Sequence, residues 1–376
     1  MIRLLCSIAV CLLLVLVSAA QQSSTNTWRF AVSGDSRNCG DVVMPALAKS
    51  VLAHDPEFYW HLGDFRIGYD VDEDMQQGAK PSIAEYHKTA WDDFIKYQVE
   101  PFTPLSVHLG IGNHEMYFHG TTKEDEKLSH AEFVTKFSKW LGSGKTAYSR
   151  WRLHNVEFIS MDNSSNAGFD EEQLAWLEQT LKEGSSDNDV NAVVVGMHRA
   201  LPNSLACGHS MNGDPSSTAE DNLKGLQSGR RAYQDLWKFQ NTTQKHVYVL
   251  ASHSHFYMQD IFNTAYWKNR TEHEPTIIGT KQETVLQGWL VGTAGARRYR
   301  LPDNLASNIL AITYAYGYLL ATVQPDGNIG FEFEQVVESD VPADVTNRFK
   351  KDFLDYCFLG NRDDTPHPPV ESCNEQ

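Results

Sequence analysis

Positive charge is scarce in this sequence. Its 376 residues include 32 lysines and arginines against 48 aspartates and glutamates, which gives a formal net charge of -16 at pH 7. Clusters of lysine and arginine bind phosphate backbones, so this charge argues against nucleic acid as a partner. Internal repeats and low-complexity blocks are also lacking, and we expect one main domain.

Long apolar segments are lacking as well, except at the N-terminus. Residues 1–20 combine Arg3, an apolar run from Leu4 to Val17 and small residues at Ser18–Ala20, which is the pattern of a cleaved signal peptide. A membrane-spanning helix needs about 20 apolar residues, and this run is shorter. We therefore expect a secreted protein, extracellular or periplasmic, without stable membrane insertion. An uncleaved anchor is the alternative.

Cysteine is sparse, and only four cysteines remain once the predicted signal peptide is removed: Cys39, Cys207, Cys357 and Cys373. Four cysteines in an exported chain allow two disulfides in three connectivities. We favour a pair between Cys357 and Cys373, which bracket a short proline-rich tail, and a second pair between Cys39 and Cys207. Glycosylation sequons fit a secreted glycoprotein, and three occur, at Asn163, Asn241 and Asn269.

Five short apolar runs stand out, and each is followed within a few residues by Asp, Asn or His. The runs are Phe30–Ser33, Phe58–Leu62, Leu105–Leu109, Val193–Met197 and Val247–Ser252. The polar residues that follow them are Asp35, Asp64, Asn113 with His114, His198, and His253 with His255. Such runs predict buried strands, and open α/β sheets place their chemistry at the carboxyl edge of the strands. We expect all these residues to share one rim.

Helical patterns alternate with the strand patterns, which predicts an α/β fold. The predicted helices are Val42–His54, Ser82–Val99, Phe133–Leu141, one starting after Asp170, Ala219–Phe239 and a closing helix at Asp344–Phe358. Two charged stretches are predicted to be solvated. Asp70–Asp74 lacks the glycine and distal glutamate of a calcium loop, and the turn at Arg297–Arg300 is basic, with contact to an anionic substrate as the alternative.

The donor atoms at the predicted rim suggest metal chemistry. Carboxylate, amide oxygen and imidazole suit borderline divalent ions such as Zn, Mn and Fe. Two ions about 3.5–4 Å apart activate water and neutralise an in-line displacement at phosphorus. The six candidate ligands are Asp35, Asp64, Asn113, His198, His253 and His255. The other histidines considered are expected to be structural: His54, His61, His108, His119 and His209.

The order of these elements resembles the calcineurin-like metallophosphoesterase superfamily, which includes the purple acid phosphatases. The resemblance rests on Gly34-Asp35, Gly63-Asp64, Gly112-Asn113-His114-Glu115, His198 and His253-Ser254-His255. It implies two packed mixed β-sheets flanked by helices, a four-layer sandwich. We expect this domain at residues 27–340, followed by a C-terminal helix and proline-rich tail at 341–376.

The resemblance also implies a role for each residue. Asp64 would bridge two ions, with Asn113, His198 and His253 completing one of them. Asp35 and His255 would hold the other. His114 would bind phosphate or act as general acid, with Glu115 supporting it from behind.

The function that the resemblance implies is a secreted, metal-dependent phosphoesterase. It would use a metal-bound hydroxide to hydrolyse a small phosphorylated substrate, with phosphate monoesters first and diesters as an alternative. The cofactor would be one or two ions of Fe, Zn or Mn. A non-catalytic ligand-binding protein that has lost the full dinuclear site is the remaining alternative.

Two positions depart from the pattern of the family. Arg37 stands where members often have histidine, and Ile67 stands where purple acid phosphatases have tyrosine. A guanidinium has no lone pair for a metal, so the site at Asp35 and His255 is short of ligands. We interpret Arg37 as a catalytic residue that binds phosphate through its planar fork, or as a charge that partly replaces the second ion.

Overall fold

The structure is a computed structural model and describes residues 27–78, 80–116, 130–142, 146–271 and 285–374. The predicted signal peptide at 1–20 and His119 lie outside the described residues. Within these ranges no helix has both the length and the apolar character to cross a membrane.

The described elements alternate in type along most of the chain. The strands are β1 (Trp28–Ser33), β2 (Phe58–His61), β3 (Ser106–Leu109), β4 (Ser149–Leu153), β5 (Val156–Ser160), β6 (Ala192–Met197), β7 (His246–Ala251), β8 (Tyr257–Gln259), β9 (Gln287–Val291), β10 (Arg298–Tyr299), β11 (Ala311–Ile312), β12 (Tyr316–Val323), β13 (Ile329–Val336) and β14 (Arg362–Asp363). The helices are α1 (Gly40–Ala53), α2 (Ile83–Phe94), α3 (His130–Phe137), α4 (Glu171–Ser186), α5 (Ala219–Thr243), α6 (Ala265–Thr271), α7 (Ala343–Arg348), α8 (Lys351–Asp355) and α9 (Val370–Asn374).

Two large mixed sheets form the centre of the fold. One has five strands in the order β13-β12-β1-β2-β3, and the other has seven in the order β11-β8-β9-β7-β6-β5-β4. β1, β2 and β3 are parallel, as are β5, β6, β7 and β9. The carboxyl ends of these parallel strands carry all the polar residues of the predicted rim.

Side chains from both sheets meet in one core, and helices cover the outer faces. The core between the sheets includes Phe30, Trp60, Phe158 and Leu250. Residues of α1 pack on the outer face of the five-stranded sheet, and residues of α4 and α5 pack on the outer face of the seven-stranded one. The predicted architecture of two packed mixed sheets flanked by helices is therefore confirmed.

Strand β6 shows why the sequence folds in this way. All six of its residues are buried. Val194 faces the core between the sheets, whereas Val193 and Val195 face the core with α4 and α5. A strand covered on both faces reads as a continuous apolar run. At Gly196, a Cβ atom would lie 2.2 Å from the Trp60 indole, so only glycine lets the sheets approach this closely.

The predicted disulfides are wrong. Cys39 is bonded to Cys357, and Cys207 to Cys373, with Cα atoms 5.8 and 5.6 Å apart. Cys357 follows α8, which packs beside α1, and it therefore meets Cys39 at the start of α1. The short spacing between Cys357 and Cys373 was misleading, because the segment between them passes from one sheet to the other.

Two further local predictions are wrong. The closing helix is broken at Phe349, which is extended because its side chain joins the core beside α1 together with Val345 and Phe353. The sequon at Asn163 is fully buried, with its amide donating to the Arg199 carbonyl at 2.7 Å.

The two charged stretches are not fully solvated. Asp72 and Asp74 are buried, because the fully buried Arg66 pairs with Asp74 at 3.0 Å and the Tyr86 hydroxyl donates to Asp72. Arg298 is also buried and donates to main-chain carbonyl oxygens, among them that of Phe358 at 2.8 Å. Arg297 is exposed as expected.

Candidate metal centre

The structure brings all eight predicted site residues together at the carboxyl ends of the parallel strands. Asp35 follows β1, Asp64 follows β2, Asn113 and His114 follow β3, His198 follows β6, and His253 and His255 follow β7. Arg37 lies in the turn between β1 and α1. The two sheets thus supply opposite sides of one site.

Three of these residues have strained backbones. The φ angles are 61° at Asp35, 61° at Asp64 and 66° at His253. Positive φ costs about 1–3 kcal/mol for a residue other than glycine, and such residues cluster at functional sites. Each angle turns the chain sharply where the strand ends, which aims the side chain across the rim.

Three side chains converge on His198. Its Nε2 atom lies 3.0 Å from Asn113 Oδ1, 3.0 Å from His253 Nδ1 and 3.2 Å from Asp64 Oδ1. Among the described residues, Asp64, His198 and His253 form a group whose ligand atoms all lie within 4.8 Å of one another. Convergence of nitrogen and oxygen donors at this spacing is characteristic of a metal site.

The tautomer of His198 supports the same interpretation. Its Nδ1 atom is 3.0 Å from the Leu62 carbonyl oxygen and 3.1 Å from Ser252 Oγ. Since a carbonyl oxygen only accepts, Nδ1–H is the donor and Nε2 faces the rim. Burial alone would lower the pKa of this imidazole, but Asp64 and Asp35 raise it above its usual value. Nε2 therefore lies where a positive charge, carried by a proton or by a bound cation, makes its contacts with the carboxylate and amide oxygens favourable.

The charge of Asp64 fits a cation as well. Burial alone would raise the pKa of its carboxyl group, but His114, His198 and Arg37 lower it well below the usual value, so the group is ionised. Its Oδ2 atom is buried and has no hydrogen-bond partner among the described residues. Buried charged oxygens are rarely left unpaired. Asp64, Asn113, His198 and His253 therefore fit one divalent ion of the Zn, Mn or Fe type.

The other half of the rim does not fit a second ion. Asp35 Oδ1 and His255 Nε2 lie 3.1 Å apart, as two ligands would. However, Arg37 fills the space beside them, with Nη2 at 3.1 Å from His255 Nε2 and Nε at 3.9 Å from Asp64 Oδ2. A guanidinium is a donor and has no lone pair.

His114 is held as a neutral acceptor. Its Nδ1 atom is 2.6 Å from the Ile67 carbonyl oxygen, and its Nε2 atom is 2.5 Å from Arg37 Nη1. Burial and then Arg37 lower its pKa to about 4. Because Nδ1–H donates to Ile67 and Nε2 accepts from Arg37, His114 has no free proton for a leaving group in this arrangement. The geometry favours phosphate positioning over general acid catalysis.

Glu115 hydrogen-bonds the main chain of the loops that carry the candidate ligands. Its carboxylate accepts main-chain N–H bonds from Asp64 and Phe65 at 2.8 Å each and from Gly112 at 2.6 Å. It therefore ties the end of β2 to the end of β3. The supporting position behind His114 that the sequence resemblance implied for Glu115 stays a prediction.

Two residues at the rim were missed or misassigned from the sequence. Tyr299 stacks on His255 with ring centroids 4.0 Å apart, and its hydroxyl lies 3.4 Å from Arg37 Nη2. His209, expected to be structural, lies with its ring 5.8 Å from that of His253 and bonds His367 at 3.1 Å. The irregular loop after His198 was a signal for His209, whereas no local pattern marks Tyr299.

Comparisons with known proteins identify the fold. A purple acid phosphatase, PPD1, from yellow lupin (Lupinus luteus) seeds matches with a TM-score of 0.56 and 15% identity, over 83% of this chain and 52% of that one. PhoD matches with a TM-score of 0.51 and 14% identity, over 82% of this chain and 68% of that one. The chain shares the fold of these two proteins. It spans about half the length of the lupin protein. No family model and no curated protein matches the sequence.

Proposed function

We propose that the protein is a secreted, metal-dependent phosphoesterase that hydrolyses phosphate monoesters. The observation that carries this proposal is the convergence of Asp64, Asn113 and His253 on Nε2 of His198, with a buried guanidinium beside them. The names of both similar structures, one of them a purple acid phosphatase, are consistent with it. The two disulfides are consistent with an oxidising compartment.

A divalent ion at this position would lower the pKa of a water molecule and polarise a phosphoryl oxygen. The chain's own residues do the rest. Ionised Asp64 and the imidazole nitrogens of His198 and His253 would hold the ion. Arg37 keeps a positive charge at the rim, where phosphoryl oxygens gain negative charge in the transition state. His114 orients that guanidinium through Nε2 and is itself fixed by the Ile67 carbonyl.

Monoesters are proposed over diesters because the rim presents a fixed positive charge next to the metal centre. A monoester dianion carries more charge than a diester, and a guanidinium binds two phosphoryl oxygens at once. We assign the activity to residues 27–340. The segment from residue 341 onward, with its short helices α7 and α8 and its proline-rich tail, is proposed to lie outside this catalytic domain and contributes His367 near the rim.

The test is phosphate release from aryl monoesters and diesters with the same leaving group. The mature protein is stripped of metal and resupplied with Mn, Zn or Fe. We expect release that depends on metal and is faster with the monoester. Asn113→Ala should cut turnover by more than about 100-fold, because it removes a ligand rather than a supporting contact. Exposed Asn347→Ala is the control. Near-normal turnover by folded Asn113→Ala would refute the assignment.

A further inference from the structure

We propose that this site binds a single divalent ion and that the guanidinium of Arg37 takes the place of a second one. This inference rests on the proposed metal centre and adds its stoichiometry. It starts from the position of Arg37, which lies between Asp35, Asp64 and His255 on the side of the rim away from His198. A second ion bridged by Asp64 would need this same space.

Two of the ligand atoms on that side are already used. His255 donates from Nδ1 to the Arg297 carbonyl oxygen at 2.6 Å, which leaves its Nε2 lone pair to accept from Arg37 Nη2 at 3.1 Å. Asp35 Oδ2 accepts the main-chain N–H of His253 at 2.7 Å. Ile67 offers only a methyl-bearing side chain. A second ion would have to displace Arg37 to gain an imidazole ligand.

The charges lead to the same conclusion. Asp35 and Asp64 bring two carboxylates to a buried site, and Arg37 Nε lies 3.9 Å from Asp64 Oδ2. Arg37 supplies one positive charge and a divalent ion supplies two, so one ion already exceeds neutrality. A further divalent ion would lie within a few ångströms of the guanidinium, where like charges repel strongly because solvent screens buried groups poorly.

Arg37 is also fixed where it is. Its side chain is buried, and the Tyr299 hydroxyl lies 3.4 Å from Nη2. The main-chain N–H of Asn38 donates to Asp72 at 2.6 Å, and Cys39 is bonded to Cys357. The residues after Arg37 are therefore tied down at two points. A swing of the guanidinium away from the rim would break contacts that the loop itself makes.

The first test compares the metal content of wild type with that of two single variants, His253→Ala and His255→Ala. Each protein is dialysed against excess Mn²⁺ or Zn²⁺, and bound metal per chain is measured by elemental analysis. We expect one ion in wild type, one in His255→Ala and less than about a tenth of an ion in His253→Ala, because only His253 belongs to the metal centre. Electron paramagnetic resonance of the Mn²⁺ form should show the hyperfine pattern of an isolated ion.

The outcomes separate the inference from the proposed function. Two ions in wild type, an exchange-coupled Mn²⁺ signal, or equal losses in the two histidine variants would overturn the single-ion inference and leave a metallophosphoesterase in place. A wild type that binds no ion would overturn the proposed metal centre itself, and the inference with it. The number of ions bound by wild type tests the single-ion inference by itself, even if a variant does not fold.

The second test asks whether Arg37 is the cause. Arg37→His replaces a donor with an imidazole beside Asp35 and His255, and we expect it to take up a second ion and to show a coupled Mn²⁺ spectrum. Arg297→His is the matched control, since Arg297 is exposed and pairs with Glu73, and it should keep one ion. A single bound ion in folded Arg37→His would refute the inference that Arg37 excludes a second ion.

Discussion

Replacing Arg66 with methionine should strongly destabilise the protein. Arg66 is fully buried and pairs with Asp41 at 2.7 Å, with Asp74 at 3.0 Å and with Asp93. These residues join α1, α2 and the acidic stretch. Methionine preserves most of the volume but removes the positive charge. The three carboxylates then keep only Arg348, which pairs with Asp41 at 3.1 Å and is partly exposed.

The magnitude follows from the imbalance of buried charge. Removing one partner of a buried ion pair costs about 3–5 kcal/mol, and here one cation serves three carboxylates, so we expect at least about 4 kcal/mol near neutral pH. Typical domains have about 5–15 kcal/mol of stability. The variant should therefore fold only marginally, and the loop that carries Arg37 should be affected through the bond from Asn38 to Asp72.

The effect should shrink as the pH falls. Burial already raises the pKa of Asp93 to about 7 and that of Asp74 well above its usual value, and loss of Arg66 raises both further. The folded variant then binds protons that the unfolded chain, with carboxyl pKa values near 4, does not bind. The difference in unfolding free energy between variant and wild type should therefore shrink by about 1.4 kcal/mol per pH unit for each proton that the folded variant binds and folded wild type does not.

Urea unfolding of wild type and Arg66→Met between about pH 8 and pH 5.5 measures this directly. Arg300→Met is the control, because the pair of Arg300 with Asp303 is partly exposed and such pairs contribute about 0–1 kcal/mol. A deficit for Arg66→Met below about 1 kcal/mol, or one that does not change with pH, would refute the reasoning.

Two further predictions concern the rim. In Gly112→Ala the new Cβ would lie 2.3 Å from Asp64 Oδ1 and 2.9 Å from His198 Nδ1, so the metal affinity measured by calorimetric titration should fall by at least about tenfold. Gly330→Ala is the control, because its Cβ would meet nothing within 4 Å, and its metal affinity should be unchanged. Equal metal affinities of the two variants would contradict the clash at Gly112. Burial lowers the pKa of His61 to about 3. Unfolded His61 therefore takes up a proton below about pH 6.5 that the folded state does not bind, which removes about 1.4 kcal/mol of stability per pH unit. In His61→Asn this part of the loss of unfolding free energy at acid pH, measured with urea, should disappear. If the unfolding free energies of wild type and variant instead change in parallel with pH, His61 does not titrate in this way.

The sequence predicts the fold and the position of the site because both depend on local patterns. The run before His198 is apolar throughout because β6 is covered on both faces. Asp64 and Asn113 follow such runs directly, so their place at the rim follows from the strands themselves. The roles of these residues as ligands remain predictions.

Predictions that depended on distant partners were the ones that were wrong. The acidic stretch was expected to be solvated because it lacks the glycine and distal glutamate of a calcium loop. In the fold Arg66 pairs with Asp74 and also with the more distant Asp41 and Asp93. The cysteines were paired by their spacing, whereas the contacts between α8 and α1 decide the bond of Cys39. Tyr299 reaches the rim only because β10 lies across the C-terminal segment at β14.

The two disulfides set an order in which the site can be completed. Cys39 follows a strand of the five-stranded sheet and Cys207 follows a strand of the seven-stranded one, and both are bonded to the last part of the chain, at Cys357 and Cys373. During synthesis both sheets can therefore be finished while each side of the rim still has a free thiol. Cys357 and Cys373 emerge after both sheets and join each side of the rim to the segment that carries them, so a chain shortened before Cys357 would keep most of its strands and lose both of these bonds.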